Sequence, residues 1–133
     1  MTELHRDAWF HLVREERSSA GYLVLTRTTV PFASVGDIVA STARVMEAVR
    51  ASGVDRLLFD VSGAGQGRHD PEFEKAGETF RRELSAACER VAVIVKTAAA
   101  KLQVNRLSRG LLRAPVVFQD VEAARRYLTQ EAA

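Results

Sequence analysis

The chain has 133 residues, 47% hydrophobic and 27% charged, and its 19 Lys+Arg against 17 Asp+Glu leave a formal net charge of +2. That is the length and balance of one globular domain, residues 1–133, which can bury a core without a disulfide or metal staple. The pI of about 9.0 reflects a few extra arginines and no basic block, which argues against nucleic acid as a partner.

Cys88 is the only cysteine, so an intramolecular disulfide is excluded and a reducing cytoplasm is the expected location. The opening MTELHRDAWF mixes charges of both signs and has no apolar centre, unlike a signal peptide. No apolar run approaches the roughly 18–20 residues of a membrane span. The first few residues and the QEAA tail are expected to be loose.

In chain order, residues 9–14 and 21–28 read as two strands. The polar, turn-rich EERSSAG between them predicts an antiparallel hairpin. The stretch around Pro31 and Gly36 breaks the pattern, and from Asp37 the period becomes helical. Ile38, Val39, Thr42, Val45, Met46 and Val49 are assigned to the inner face, and Ser41, Arg44, Glu47 and Arg50 to the outer one. Gly53 ends this helix. Residues 57–61 then form a nearly continuous apolar run, as in a central parallel strand.

The segment LLFDVSGAGQGRHDPEF carries the clearest signal. An apolar strand ends in Asp60, a glycine-rich turn follows, and Asp70-Pro71 opens a helix over 71–87. Loops at the carboxyl ends of such strands are where α/β domains place their sites. The turn is not a Walker A loop, since no Gly-Lys-Ser/Thr follows, and its glycines at 63, 65 and 67 miss the dinucleotide fingerprint by one residue. Further on, residues 91–96 form another central strand, 98–108 a third helix, 114–120 a short last strand, and 120–130 a C-terminal helix. The expected order is β-β-α-β-α-β-α-β-α. It describes a mixed, mostly parallel sheet with an N-terminal hairpin and about four helices in one α/β domain.

That order, with the strings RLLFDVSG, RHDPEFEKAGETFRREL, RVAVIVKT and PVVFQDVEAARRYL, resembles the SpoIIAA-like group: STAS domains and the small bacterial STAS/SEC14-like proteins. The resemblance implies a non-enzymatic regulatory or signalling domain that binds another protein. Its SEC14 side implies the alternative of a carrier for a small molecule or lipid, which would need an apolar cavity between helices and sheet. In the anti-sigma-factor antagonists of the group, a phosphorylatable serine stands at the head of the helix after this strand. Here Asp70 stands nearest that place and Ser62 lies earlier, so no phosphoserine switch is expected there.

The reading of the residues agrees on the edge to watch. No His, Cys or Asp grouping has metal-ligand spacing, His69 beside Asp70 reads as an exposed loop histidine in preference to a catalytic one, and no cofactor is expected. The expected partner surface comprises Gly65, Gln66, Gly67, Arg68, His69 and Asp70 in the loop, with Glu74, Glu78, Arg81 and Arg82 on the exposed face of the helix that follows. A competing surface is the acid-free segment carrying Lys96, Lys101, Arg106, Arg109 and Arg113. Homo-oligomerisation is left open. Trp9 is expected half-exposed on the hairpin, as core or as partner surface.

Overall fold

A computed structural model describes residues 1–16, 21–64 and 70–130. The order is β1 (Thr2–Arg6), β2 (Phe10–Glu15), β3 (Tyr22–Arg27), α1 (Val35–Ser52), β4 (Arg56–Asp60), α2 (Pro71–Ala87), β5 (Arg90–Ile94), α3 (Ala98–Leu107), β6 (Val116–Phe118) and α4 (Val121–Thr129). The six strands form one sheet in sequential order. β1, β2 and β3 pair antiparallel, and β3 through β6 pair parallel. The mixed, mostly parallel sheet with four helices is the fold class the sequence implies.

Two local expectations fail. The N-terminus is not loose: β1 pairs with β2 from Thr2 opposite Arg14 to Arg6 opposite His11, with a register shift between Glu3 and His5. Its residues are mostly polar because it is an edge strand, held by the backbone ladder and by Glu3, whose Oε1 accepts from Arg6 Nε at 2.7 Å and lies 2.9 Å from His11 Nε2. The inner face of α1 is also rotated from the expected one. Val39 is 55% exposed, whereas Ser41 is fully buried. Ser41 tolerates burial because its Oγ donates to Asp7 Oδ2 at 2.6 Å, so the hydroxyl is satisfied.

The helix ends follow from local chemistry. Ser34 Oγ accepts from Asp37 N and caps α1, whose other end closes on Gly53 at φ 69°, a left-handed conformation suited to glycine. Thr97 caps α3 and Asp120 caps α4 in the same way. Pro71 opens α2, but the Asp70 side chain makes no cap hydrogen bond. Asp70 holds the N-cap position, which aspartate favours, without a side-chain bond to the first-turn amides.

Alternation along the strands divides the core between two faces. On one, Leu12, Leu23, Leu25 and Leu57 meet Val45, Met46 and Val49 of α1 and Phe80 and Leu84 of α2. Val93, Val95 and Val117 continue that face beneath Ala100 and Val104 of α3, with Phe59 and Val91 touching both clusters. On the opposite face, Leu58, Ala92 and Ile94 meet Ala124 and Leu128 of α4. Parallel strands in sequential order with crossovers of one hand place all connecting helices on one side, as α1, α2 and α3 are placed. Cys88 is fully buried within the first cluster. Burial, with Asp55 adding and Arg113 opposing, pushes its thiol up to about 11. No helix among the described residues is long and apolar enough to cross a membrane.

Candidate functional site

The three helices do not cover their face of the sheet evenly. α3 contributes no fully buried residue and meets the sheet only through partly buried Ala100 and Val104. Between the sheet and α1, α2 and α3 lies a cavity of about 410 Å³. Protein interiors are normally close-packed, and this volume falls within the range of ligand pockets. Phe59 and Val93 of the sheet form its floor, Phe73 and Phe80 of α2 one wall, and Val104 and Leu107 of α3 another. Phe10, Phe59 and Phe80 form an aromatic cluster at one end, with centroids 5.6–6.3 Å apart. An apolar cavity between helices and sheet is the feature the carrier alternative requires.

Most polar groups on its wall are already satisfied. Thr42 Oγ1 donates to Ile38 O at 2.7 Å, Ser85 Oγ to Arg113 O at 2.8 Å, and Ser108 Oγ to Val104 O at 2.7 Å. Arg27 closes the end near β3. Its Nη1 donates to Thr28 O at 2.9 Å and Val30 O at 2.8 Å, and its guanidinium lies 4.4 Å from the Phe32 ring centroid. Burial lowers its pKa, with Asp7 opposing. Trp9 stacks on the far side of this group, 5.2 Å from Phe32, and donates Nε1 to Pro31 O at 3.2 Å. Trp9 thus braces the cavity wall.

Arg81 is the exception. It is half-buried and lines the cavity, and its Nε is buried without a hydrogen-bond partner among the described residues. Burial lowers its pKa while the charges of Glu78 and Glu74 oppose that shift. It packs beside Gly77, one turn earlier, where an added Cβ would come 3.2 Å from Arg81 Nη1. The guanidinium therefore folds back across a gap in its own helix. This corrects the expected placement of Arg81 on the exposed face of α2.

Of the other expected partner residues, Gly65, Gln66, Gly67, Arg68 and His69 lie outside the described residues. Asp70, Glu74, Glu78 and Arg82 are exposed, with Glu78 and Arg82 joined as an ion pair. Ser62 is held at the end of β4: its Oγ donates to Asp60 Oδ1 at 2.6 Å and its amide to the same oxygen at 2.9 Å. In the competing basic segment, Arg113 is tied to α2 through Ser85 O and Cys88 O.

Nothing described here resembles a nucleophile with its base. His5, Asp7 and Ser41 meet, but Asp7 stands in the middle, 2.8 Å from His5 Nε2 and 2.6 Å from the Ser41 hydroxyl. A relay for nucleophilic attack needs the histidine between serine and acid. Burial pushes the Asp7 carboxyl up, but hydrogen bonds from Ser41, His5 and the Trp9 and Phe10 amides outweigh it and hold the group at about 2. The cluster ties the β1–β2 connection to α1. Among the described residues, no group of three or more His, Cys, Asp or Glu could hold a metal ion.

No protein-family model matches the chain, and no curated protein is similar to it in sequence. Solved structures do match. One is an uncharacterized protein of the DUF3478 family from Shewanella loihica PV-4, described as having a SpoIIAA-like fold. It is 11% identical, with a TM-score of 0.66 over 93% of this chain and 97% of that one. The chain has a SpoIIAA-like fold. The anti-sigma factor antagonist SpoIIAA in its unphosphorylated form also matches, at 14% identity and a TM-score of 0.52 over 86% of this chain and 93% of that one.

The sequence reading missed the cavity and the roles of Arg27 and Arg81 in it. One signal was available: Gly77 inside a helix weakens it by about 1 kcal/mol relative to alanine, which calls for a local reason such as the one Arg81 supplies.

Proposed function

We propose that this protein is a non-enzymatic binding domain of the SpoIIAA-like fold whose cavity holds a small, mostly apolar molecule. The observation carrying this reading is the cavity of about 410 Å³ between the sheet and α1, α2 and α3. Its walls are mostly apolar and the Thr42, Ser85 and Ser108 hydroxyls are satisfied internally, so it favours burial of a ligand over chemistry on one. The test uses Nile red, a neutral apolar dye, with native mass spectrometry of the freshly purified protein in parallel. Saturable, one-to-one dye binding that decanol displaces is expected, with any copurified molecule appearing as an added mass. Failure of both decanol and the dye to saturate would overturn the reading.

A second reading is regulatory binding to another protein in the cytoplasm. It is supported by the outward charges of Glu74, Glu78 and Arg82 on the same helix that walls the cavity. It also draws on the fold shared with an anti-sigma factor antagonist. The surface is the loop Gly65, Gln66, Gly67, Arg68, His69 and Asp70 with those three helix residues. Mixed charges of this kind govern association rate and specificity more than affinity. Reversal of Glu74 and Arg82 together should slow association with a captured partner and leave melting unchanged. Normal kinetics in that variant would remove this face from the interface.

A further inference from the structure

We propose that the cavity selects a single-chain carboxylate of medium length, with its head paired to Arg81 and its alkyl tail against Phe59, Phe73, Phe80 and Val104. This rests on the ligand-binding reading above and names the ligand class. The tail follows from the walls. A volume of about 410 Å³ is near the small end for ligand pockets and suits a chain of about eight to twelve carbons.

The head follows from an accounting of charge. A buried guanidinium N–H without an acceptor is unfavourable. Arg27 and Arg113 are partly compensated by backbone carbonyls, at 2.8 Å from Val30 O and 3.2 Å from Ser85 O respectively. Arg81 Nε has no such acceptor among the described residues. A carboxylate accepts from Nε and Nη of one guanidinium together once the buried Nε edge turns toward the cavity, a geometry that lysine could not offer. The charge of the head follows as well. Arg81 lies within electrostatic reach of both Glu74 and Glu78, so a monoanion is accommodated and a phosphate dianion is repelled.

The test is calorimetric titration of the full chain with decanoate, decanol and decyl phosphate, each below its critical micelle concentration. Decanoate should bind at least about tenfold more tightly than decanol, as a charge-assisted pair requires. Arg81→Met should erase that preference and leave decanol affinity within about twofold. Equal binding of decanoate and decanol to the wild type would overturn the charge pairing and leave the cavity reading standing. Tighter binding of decyl phosphate would overturn the monoanionic head. Absence of all three would remove the cavity reading as well. Carbon-13 NMR of carboxyl-labelled decanoate on the wild type provides the measurement that needs no variant. Its bound carboxyl should titrate below the free acid, and titration above it would overturn the pairing with Arg81.

Discussion

At the residue scale, two sets of side chains invite measurement. The first is Asp7, whose carboxyl sits at about 2 in the folded chain against an ordinary 3.8. A depressed folded value contributes stability that is fully present above the unfolded pKa and is lost as pH falls toward the folded one. The window is therefore about pH 5 down to pH 2, and the contribution is on the order of 1–2 kcal/mol after allowance for solvent screening. Denaturant titrations at several pH values should show the wild type losing this margin relative to Asp7→Asn across that window. A stability difference that does not change with pH would remove Asp7 from the acid response. The second set is the helix caps. Ser34→Ala and Thr97→Ala each delete a side-chain acceptor for a first-turn amide, and each should lower stability by about 0.5–2 kcal/mol. Asp70→Ala deletes no cap hydrogen bond, so the cap contribution of about 0.5–2 kcal/mol is not lost there and its cost should be smaller than at the other two positions. Equal losses at all three positions in chemical denaturation would show that geometry at the caps does not decide the matter.

At the element scale, α4 is the only helix among the described residues on its face of the sheet, and two arginines hold its end. Arg56 Nη1 donates to Leu128 O and to Gln130 O, the latter at 3.0 Å, and Arg90 Nη1 donates to Tyr127 O at 3.0 Å and Gln130 O at 2.8 Å. The two residues are opposite each other across β4 and β5, so the sheet presents paired cations to the negative end of the helix dipole. Arg56→Ala or Arg90→Ala should cost about 1–2 kcal/mol and speed hydrogen exchange in α4 before the rest of the chain. Because both share the Gln130 carbonyl, the double variant should depart from additivity by about 0.5 kcal/mol or more; strict additivity would mean that the shared acceptor carries no coupling. The legibility of each element followed the strength of its pattern. β4 and β5 were readable because both faces are buried and their apolar runs are continuous. α2 was readable from Asp70-Pro71 and the spacing of Phe73, Phe80 and Leu84. β1 was not readable because Thr2, Glu3 and Arg6 are exposed, and an edge ladder leaves no hydrophobic period to detect. The cavity was invisible for a related reason: residues that line empty space have the same period as residues that fill it. Arg81 shows the difficulty most clearly, since its charge predicts a solvated face whereas the fold sets it beside Gly77 in the cavity wall.

At the scale of the whole molecule, the sheet supports two unlike sides. One is closed by α4 and its arginine anchors; the other is built from three helices and left open between the second and third. α2 walls that opening with Phe73 and Phe80, so a ligand there and a partner on the outward face of α2 would meet through one helix. The expected energetic signature is coupling of ligand to global stability. A ligand bound only by the folded state adds about 2.7 kcal/mol at a hundred times its dissociation constant, which for a domain of this size is a rise in melting temperature of about 10 °C. Val104→Phe separates this effect from non-specific action of a surfactant. The larger ring would enter the cavity from α3, which Val104 already lines, and burial of the added carbons should raise the melting temperature of the ligand-free chain by about 2–4 °C. The same substitution should abolish the rise produced by decanoate, since the tail and the ring compete for one space. Scanning calorimetry of both proteins with and without decanoate reads all four values. A variant that melts lower than the wild type, or that keeps the full ligand-induced rise, would show that the space beside Val104 is not the site the ligand occupies.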